Sequence, residues 1–283
     1  MKTLTWLGMW VVALFTTIAA AQGFVNESNV NVGNGVVGTL ARPAEVTGDA
    51  PAVLLLHGFA SSKDEVGDMY TRLAQSLAVA GITSLRIDFR GGGDSSGDFA
   101  DTTVISQVED AMQGLEYLQA QEGIDPSRTG VLGFSLGAGV AITLAGDHAD
   151  AIKSLAVWSS IGSFTDMNAS LGAENVATAQ NEGSVTVDLG FRTVTLKNTF
   201  FESLDSYDVM AQLAKYPGAF LAVGGGQDEL ARYLPQLGET ATGSPKETIL
   251  FPDSDHIYHV LTEDQTDADA VIRETTEWFK ATL

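Results

Sequence analysis

Gly133-Phe134-Ser135-Leu136-Gly137 lies between an apolar β-type run, Thr129 to Leu132, and a small-residue helical run, Ala138 to Ala145. A serine hydroxyl is a poor nucleophile. Held on a tight strand-to-helix turn it is exposed to substrate, and the next backbone N–H points at the developing oxyanion. The flanking glycines supply the room that such a turn needs. The pentapeptide alone is common in proteins, and it is the strand-turn-helix setting that points to nucleophilic serine chemistry.

The rest of the chain supplies a frame for that turn. Val36 to Ala41 reads as an early strand, followed by a loop over Pro43 to Pro51 and a short apolar run, Ala52 to Leu56, that ends in His57-Gly58-Phe59. Val66 to Ala80 carries apolar residues at helical spacing, and Ile82 to Ile87 is strand-like again, ending at Asp88. A helix with Val104, Val108, Met112, Leu115 and Leu118 precedes the elbow, and a strand over Ser154 to Trp158 follows it. Continuous apolar strands alternating with helices predict a parallel sheet covered on both faces.

Between Ser159 and Ser203 the alternation breaks. Ser184 to Leu189 and Arg192 to Leu196 show period-two patterning around Gly190, which predicts a β-hairpin in an inserted lid over about residues 160–204. The α/β rhythm resumes with a helix over Ser206 to Lys215, strands over Ala219 to Val223 and Glu247 to Phe251, and a last helix from about Asp267 to Lys280.

At 283 residues and 45% hydrophobic content, one large α/β domain accounts for the chain. Residues 1–21 read as a secretory signal, with Lys2 as a minimal n-region, an apolar core from Leu7 to Ile18 and a cleavage site at Ala19-Ala20-Ala21. The mature domain is then 22–283, and the expected location is periplasmic or secreted. Cysteine is absent, which excludes disulfides, a cysteine nucleophile and thiolate metal sites. Without the signal, 14 basic residues face 36 acidic ones, a net charge of −22 that repels nucleic acid and anionic membranes. The expected partner is a small-molecule ester, with no stable membrane association after cleavage; oligomeric state is left open.

Acyl transfer by serine needs a base, a carboxylate to orient the base, and N–H donors for the oxyanion, but no cofactor or metal. There are four histidines. With the order Ser, acid, His, His57 fails on order and His148 on position, just beyond the elbow helix. His256, directly after the last strand, is the chosen base, with His259 as the alternative. Asp228, after the preceding strand in Gly224-Gly225-Gly226-Gln227-Asp228-Glu229, is the chosen acid, with Glu229 as the fallback. An Asp at this position would also serve as an N-cap for a helix beginning near Leu230. The backbone N–H groups of Phe59 and Leu136 are the expected oxyanion donors. His57 reads otherwise as a hydrogen-bonder that stabilises its loop. The Arg90 to Gly97 run lacks the Lys-Ser/Thr ending of a phosphate loop and carries Asp94, so it reads as a packed turn.

Several segments together resemble the α/β-hydrolase superfamily, and within it the cinnamoyl (feruloyl) esterase-like branch. They are His57-Gly58-Phe59 with Ser61 to Glu65, Arg86 to Gly91 with Gly93-Asp94-Ser95, and Gly133 to Gly137. Further along come Phe200 to Leu204 with Tyr207-Asp208, then Asp228-Glu229 and Asp255-His256. The resemblance implies Ser135 as nucleophile, His256 as base, Asp228 as acid and the Phe59 and Leu136 amides as oxyanion donors. It also implies that the inserted hairpin helps form the acyl pocket, so that residues 160–203 set substrate choice. Phe134, Ala138 and Leu230-Ala231-Arg232 depart from the residues usual there. The implied activity is a serine carboxylesterase, acting on hydroxycinnamoyl or other small aromatic or acyl esters. A serine peptidase or acyltransferase would use the same residues, and a non-catalytic binding protein would use the pocket alone.

Overall fold

The computed structural model describes residues 25–45 and 48–283; the expected signal, residues 1–21, lies outside them. The chain runs β1 (Val25–Gly33), β2 (Val36–Pro43), β3 (Ala50–Leu56), α1 (Met69–Val79), β4 (Thr83–Asp88), α2 (Val104–Gln119), β5 (Ile124–Phe134), α3 (Leu136–Asp147) and β6 (Ser154–Trp158). An insertion follows, with α4 (Asp166–Leu171), α5 (Ala173–Glu182), β7 (Ser184–Asp188), β8 (Thr193–Lys197) and α6 (Asn198–Ser203). The remainder is α7 (Val209–Lys215), β9 (Ala219–Gly225), α8 (Leu234–Thr240), β10 (Lys246–Phe251) and α9 (Thr266–Thr282).

Eight strands form one sheet in the order β1-β2-β4-β3-β5-β6-β9-β10. The pairs from β4 to β10 are parallel, and β1 with β2 and β2 with β4 are antiparallel. Both faces are covered. Along β3, Leu54 and Leu56 enter a core shared with α2, α3 and the insertion, while Val53 and Leu55 enter a second core shared with α1 and α9. A strand buried on both sides has no polar face to show, which is why it reads as an unbroken apolar run.

The expected hairpin is present as β7 paired with β8, turning at Gly190, where φ is +85°. Two helices, α4 and α5, precede it in the insertion. The helix expected over Val66 to Ala80 starts at Met69, because Gly67 and Asp68 take left-handed φ values of 58° and 56° and break the run. The first strand, β1, is an addition to the expected frame. Most of its residues are exposed or half-buried, so it carries no apolar signal and is held by its ladder to β2.

Candidate functional site

The chain leaves β3 for β4 on one side and returns for β5 on the other, so a crevice opens at the carboxyl ends of β3 and β5. In register, Leu56 lies beside Gly133. The residues after Leu56 therefore run next to the elbow that follows β5.

Ser135 occupies that elbow with φ 56° and ψ −118°, a backbone state that non-glycine residues rarely adopt. Its own N–H is anchored to Trp158 O at 2.9 Å. The turn is possible because a Cβ on Gly137 would strike the carbonyl oxygens of Leu56 and His57, and one on Gly133 would strike the backbone of Gly137. Leu136 opens α3, so its N–H has no partner within the helix. Among the described residues the N–H groups of Leu136 and Phe59 donate to no protein group.

His57 is consumed locally, as expected. Its Nε2 accepts from Phe89 N at 3.2 Å, which leaves Nδ1 as the donor to Gly58 O at 2.8 Å. The Arg90 to Gly97 segment is a packed turn around buried Asp88, whose carboxylate accepts from Lys63 N (2.6 Å), Lys63 Nζ (3.0 Å) and Asp94 N (2.9 Å).

On the other side, β9 and β10 run in parallel register with Phe251 beside Gly225, so the loops that follow them leave the sheet together. Gly226 N donates to Phe251 O at 2.8 Å and Gln227 N to Ser254 O at 2.9 Å. A Cβ on Gly225 would collide with Asp255 O. This close approach brings Asp228 to His256, with 2.8 Å between Asp228 Oδ2 and His256 Nδ1. The other oxygen, Oδ1, accepts from Leu230 N at 3.0 Å, so Asp228 also caps the turn that begins at Glu229. One carboxylate oxygen thus meets His256 and the other caps the turn.

The His256 loop is fixed from below. Ser159 Oγ sits 3.0 Å from His256 O and 2.9 Å from Tyr258 Oη. Burial raises the Tyr258 phenol above its ordinary pKa, so it stays a donor, to Val223 O at 3.1 Å. His259 points elsewhere, with Nδ1 3.6 Å from Asp267 Oδ2, and it does not line the cavity described next. His148 ends α3 and is likewise outside it.

Ser135, Asp228 and His256 line a single cavity of about 1010 Å³. Nδ1 of His256 is taken by Asp228, which leaves Nε2 for the cavity. There is no direct Ser135 to His256 hydrogen bond among the described residues, an arrangement common in serine and histidine pairs before substrate binds. The insertion contributes Ile161, Met167 and Leu171 to the lining, together with Leu189, Phe191 and Arg192 of the hairpin tip. Phe191 (72% exposed) and Leu261 (69%) are the two most solvent-exposed apolar groups of the lining.

A model of the alpha/beta hydrolase fold family matches residues 51–182. Est1E from Butyrivibrio proteoclasticus with ferulic acid bound superposes with a TM-score of 0.74 at 20% identity, over 90% of this chain and 98% of that one. The chain has the α/β-hydrolase fold. The chain also superposes on DcsB in complex with its substrate analogue, with a TM-score of 0.73 at 16% identity over 92% of this chain and 100% of that one. In sequence it is 27% identical over 231 residues to an uncharacterized protein of Mycobacterium tuberculosis, 81% of this chain and 71% of that one. A thiohydrolase of Arthrinium phaeospermum is 33% identical over 97 residues, 34% of this chain and 31% of that protein.

Two residues of this site have no role assigned from the sequence. Glu65 enters only as the last residue of the matching segment Ser61 to Glu65, and Arg192 is one residue of a hairpin turn. Only the folded chain brings each of them to the loop that bears Phe59.

Proposed function

We propose that the protein is an exported serine carboxylic-ester hydrolase that acts through an acyl-enzyme on Ser135. The observation that carries this reading is the Asp228 to His256 contact at 2.8 Å in the cavity that Ser135 also lines. With its Nδ1–H held by Asp228, the imidazole presents Nε2 as a base. Nε2 takes the Ser135 hydroxyl proton as Oγ bonds to the ester carbonyl carbon. The carbonyl oxygen becomes an oxyanion facing the N–H groups of Phe59 and Leu136. The tetrahedral species then collapses, breaking the bond to the alcohol oxygen, and His256 returns the proton to that leaving group. Water, deprotonated by the same nitrogen, releases the acid and restores Ser135.

The apolar lining contributed by the insertion supports a small aromatic or acyl ester as substrate, and ferulic acid in the Est1E structure is consistent with a hydroxycinnamoyl group. The apolar run from Leu7 to Ile18 before Ala19-Ala20-Ala21 supports export. A panel of p-nitrophenyl esters and methyl hydroxycinnamates, assayed beside Ser135→Ala and with fluorophosphonate labelling, tests the reading. Hydrolysis and labelling that both vanish in Ser135→Ala are expected. Labelling without ester turnover would move the assignment to a peptidase or acyltransferase, and the absence of both would leave a binding protein.

A further inference from the structure

The short loop that carries the Phe59 N–H is held at three successive residues by groups outside the catalytic set. At Gly58, the N–H donates to Glu65 Oε2 at 2.7 Å. At Phe59, the ring lies against Phe200 of α6 and Phe99, with ring centres 5.4 and 5.7 Å apart. At Ala60, the carbonyl accepts from Arg192 Nη1 at 2.8 Å, and the same guanidinium sits 5.6 Å from the Phe99 ring centre. The Phe59 N–H itself is without a protein partner among the described residues.

Glu65 is built for this contact. It is 7% exposed, and its other oxygen accepts from Ser61 Oγ at 2.6 Å and from its neighbour Val66 N at 2.9 Å. Its backbone takes φ 59° and ψ 170°, a region that is essentially glycine's alone. A strained backbone persists only where its surroundings over-determine it, and here it aims a buried carboxylate at the loop after β3. Arg192 and Phe200 come from the insertion, so the lid touches the catalytic machinery as well as the substrate space.

Resting on the serine-hydrolase reading, we infer that Glu65 and Arg192 are positioning residues for the oxyanion hole, gripping the Phe59 loop from the β3 side and from the lid. An oxyanion donor works only if it is already in place when charge develops. A misplacement of about 1 Å costs on the order of 10²-fold in rate. The lid therefore sets turnover even for esters too small to fill its pocket.

The test is steady-state hydrolysis of p-nitrophenyl acetate, whose acyl group ends in one methyl, by full-length wild type, Glu65→Gln, Arg192→Ala and Arg192→Lys, with thermal melts of each. Glutamine must turn its NH2 towards one of the donors that now meet a carboxylate. Glu65→Gln and Arg192→Ala are expected to lower kcat tenfold or more with KM within about twofold, and Arg192→Lys to recover part of the loss, since an ammonium can still reach Ala60 O. If Glu65→Gln does not fold, the Arg192 pair decides, because that side chain sits at the hairpin tip. Folded variants with wild-type kcat, or losses seen only in KM, would overturn the clamp and leave the serine-hydrolase reading standing. A wild-type protein unable to cleave any ester would take both down.

Discussion

Asp228 divides its carboxylate between two jobs: Oδ2 meets His256 Nδ1 at 2.8 Å, and Oδ1 caps the backbone at Leu230 N at 3.0 Å. The Asp228 side chain is 7% exposed and that of His256 is 37% exposed, so the pair is anchored at the carboxylate and open at the imidazole. The dual role makes the two functions separable by mutation.

Asp228→Asn keeps an oxygen for the cap but presents an amide to the imidazole and favours the wrong tautomer. Turnover is expected to fall by up to roughly 10⁴-fold with the melting temperature near wild type. Asp228→Ala loses the cap as well, at a further cost of about 0.5–2 kcal/mol in stability. Kinetics and urea denaturation of the two variants check this; equal stability losses would show that Oδ1 does not cap in solution.

The two late histidines should part company. His256→Ala is expected to damage hydrolysis about as much as Ser135→Ala, because members of such a set act as a unit. His259→Ala, whose imidazole faces Asp267 outside the cavity, should stay within a few-fold of wild type. The reverse ranking in ester assays would move the base to His259.

Strain at the elbow predicts a trade of stability for activity. Ser135→Gly removes the hydroxyl together with the side chain that resists φ 56°, so the variant should be inactive and more stable by up to about 2 kcal/mol, the relief of roughly 1–3 kcal/mol of backbone strain less the extra entropy of an unfolded glycine. Gly137→Ala should go the other way by about 1–3 kcal/mol, since the new methyl meets the carbonyls of Leu56 and His57. Equilibrium unfolding reads both signs, and a destabilised Ser135→Gly would refute the strain argument.

Phe191 stands at the mouth of the cavity, mostly in water, and its removal costs the fold little. Phe191→Ala should lower kcat/KM on methyl hydroxycinnamates by about 5–30-fold, the equivalent of roughly 1–2 kcal/mol of apolar contact, while p-nitrophenyl acetate is cleaved as before. Equal losses on both esters would show that the hairpin tip does not select the acyl group.

The sequence by itself determined the frame and the residues that the fold gathers around the cavity. Strands buried on both faces read as apolar runs, and the carboxyl ends of β3, β5, β9 and the more exposed edge strand β10 carry Phe59, Ser135, Asp228 and His256 in an order that a parallel sheet turns into proximity. Those signals are local, a period or a short motif, and they survive without knowledge of the partners. Tertiary structure decided the rest. The edge strand β1 holds by backbone pairing and shows no apolar pattern. The helical run from Val66 is broken by left-handed backbone at Gly67 and Asp68, which the apolar spacing does not encode. Glu65 and Arg192 reach the same loop from positions 127 residues apart in the chain, through one hydrogen bond each to Gly58 and Ala60. Such contacts depend on where a fold brings two distant backbones, and no periodicity records them.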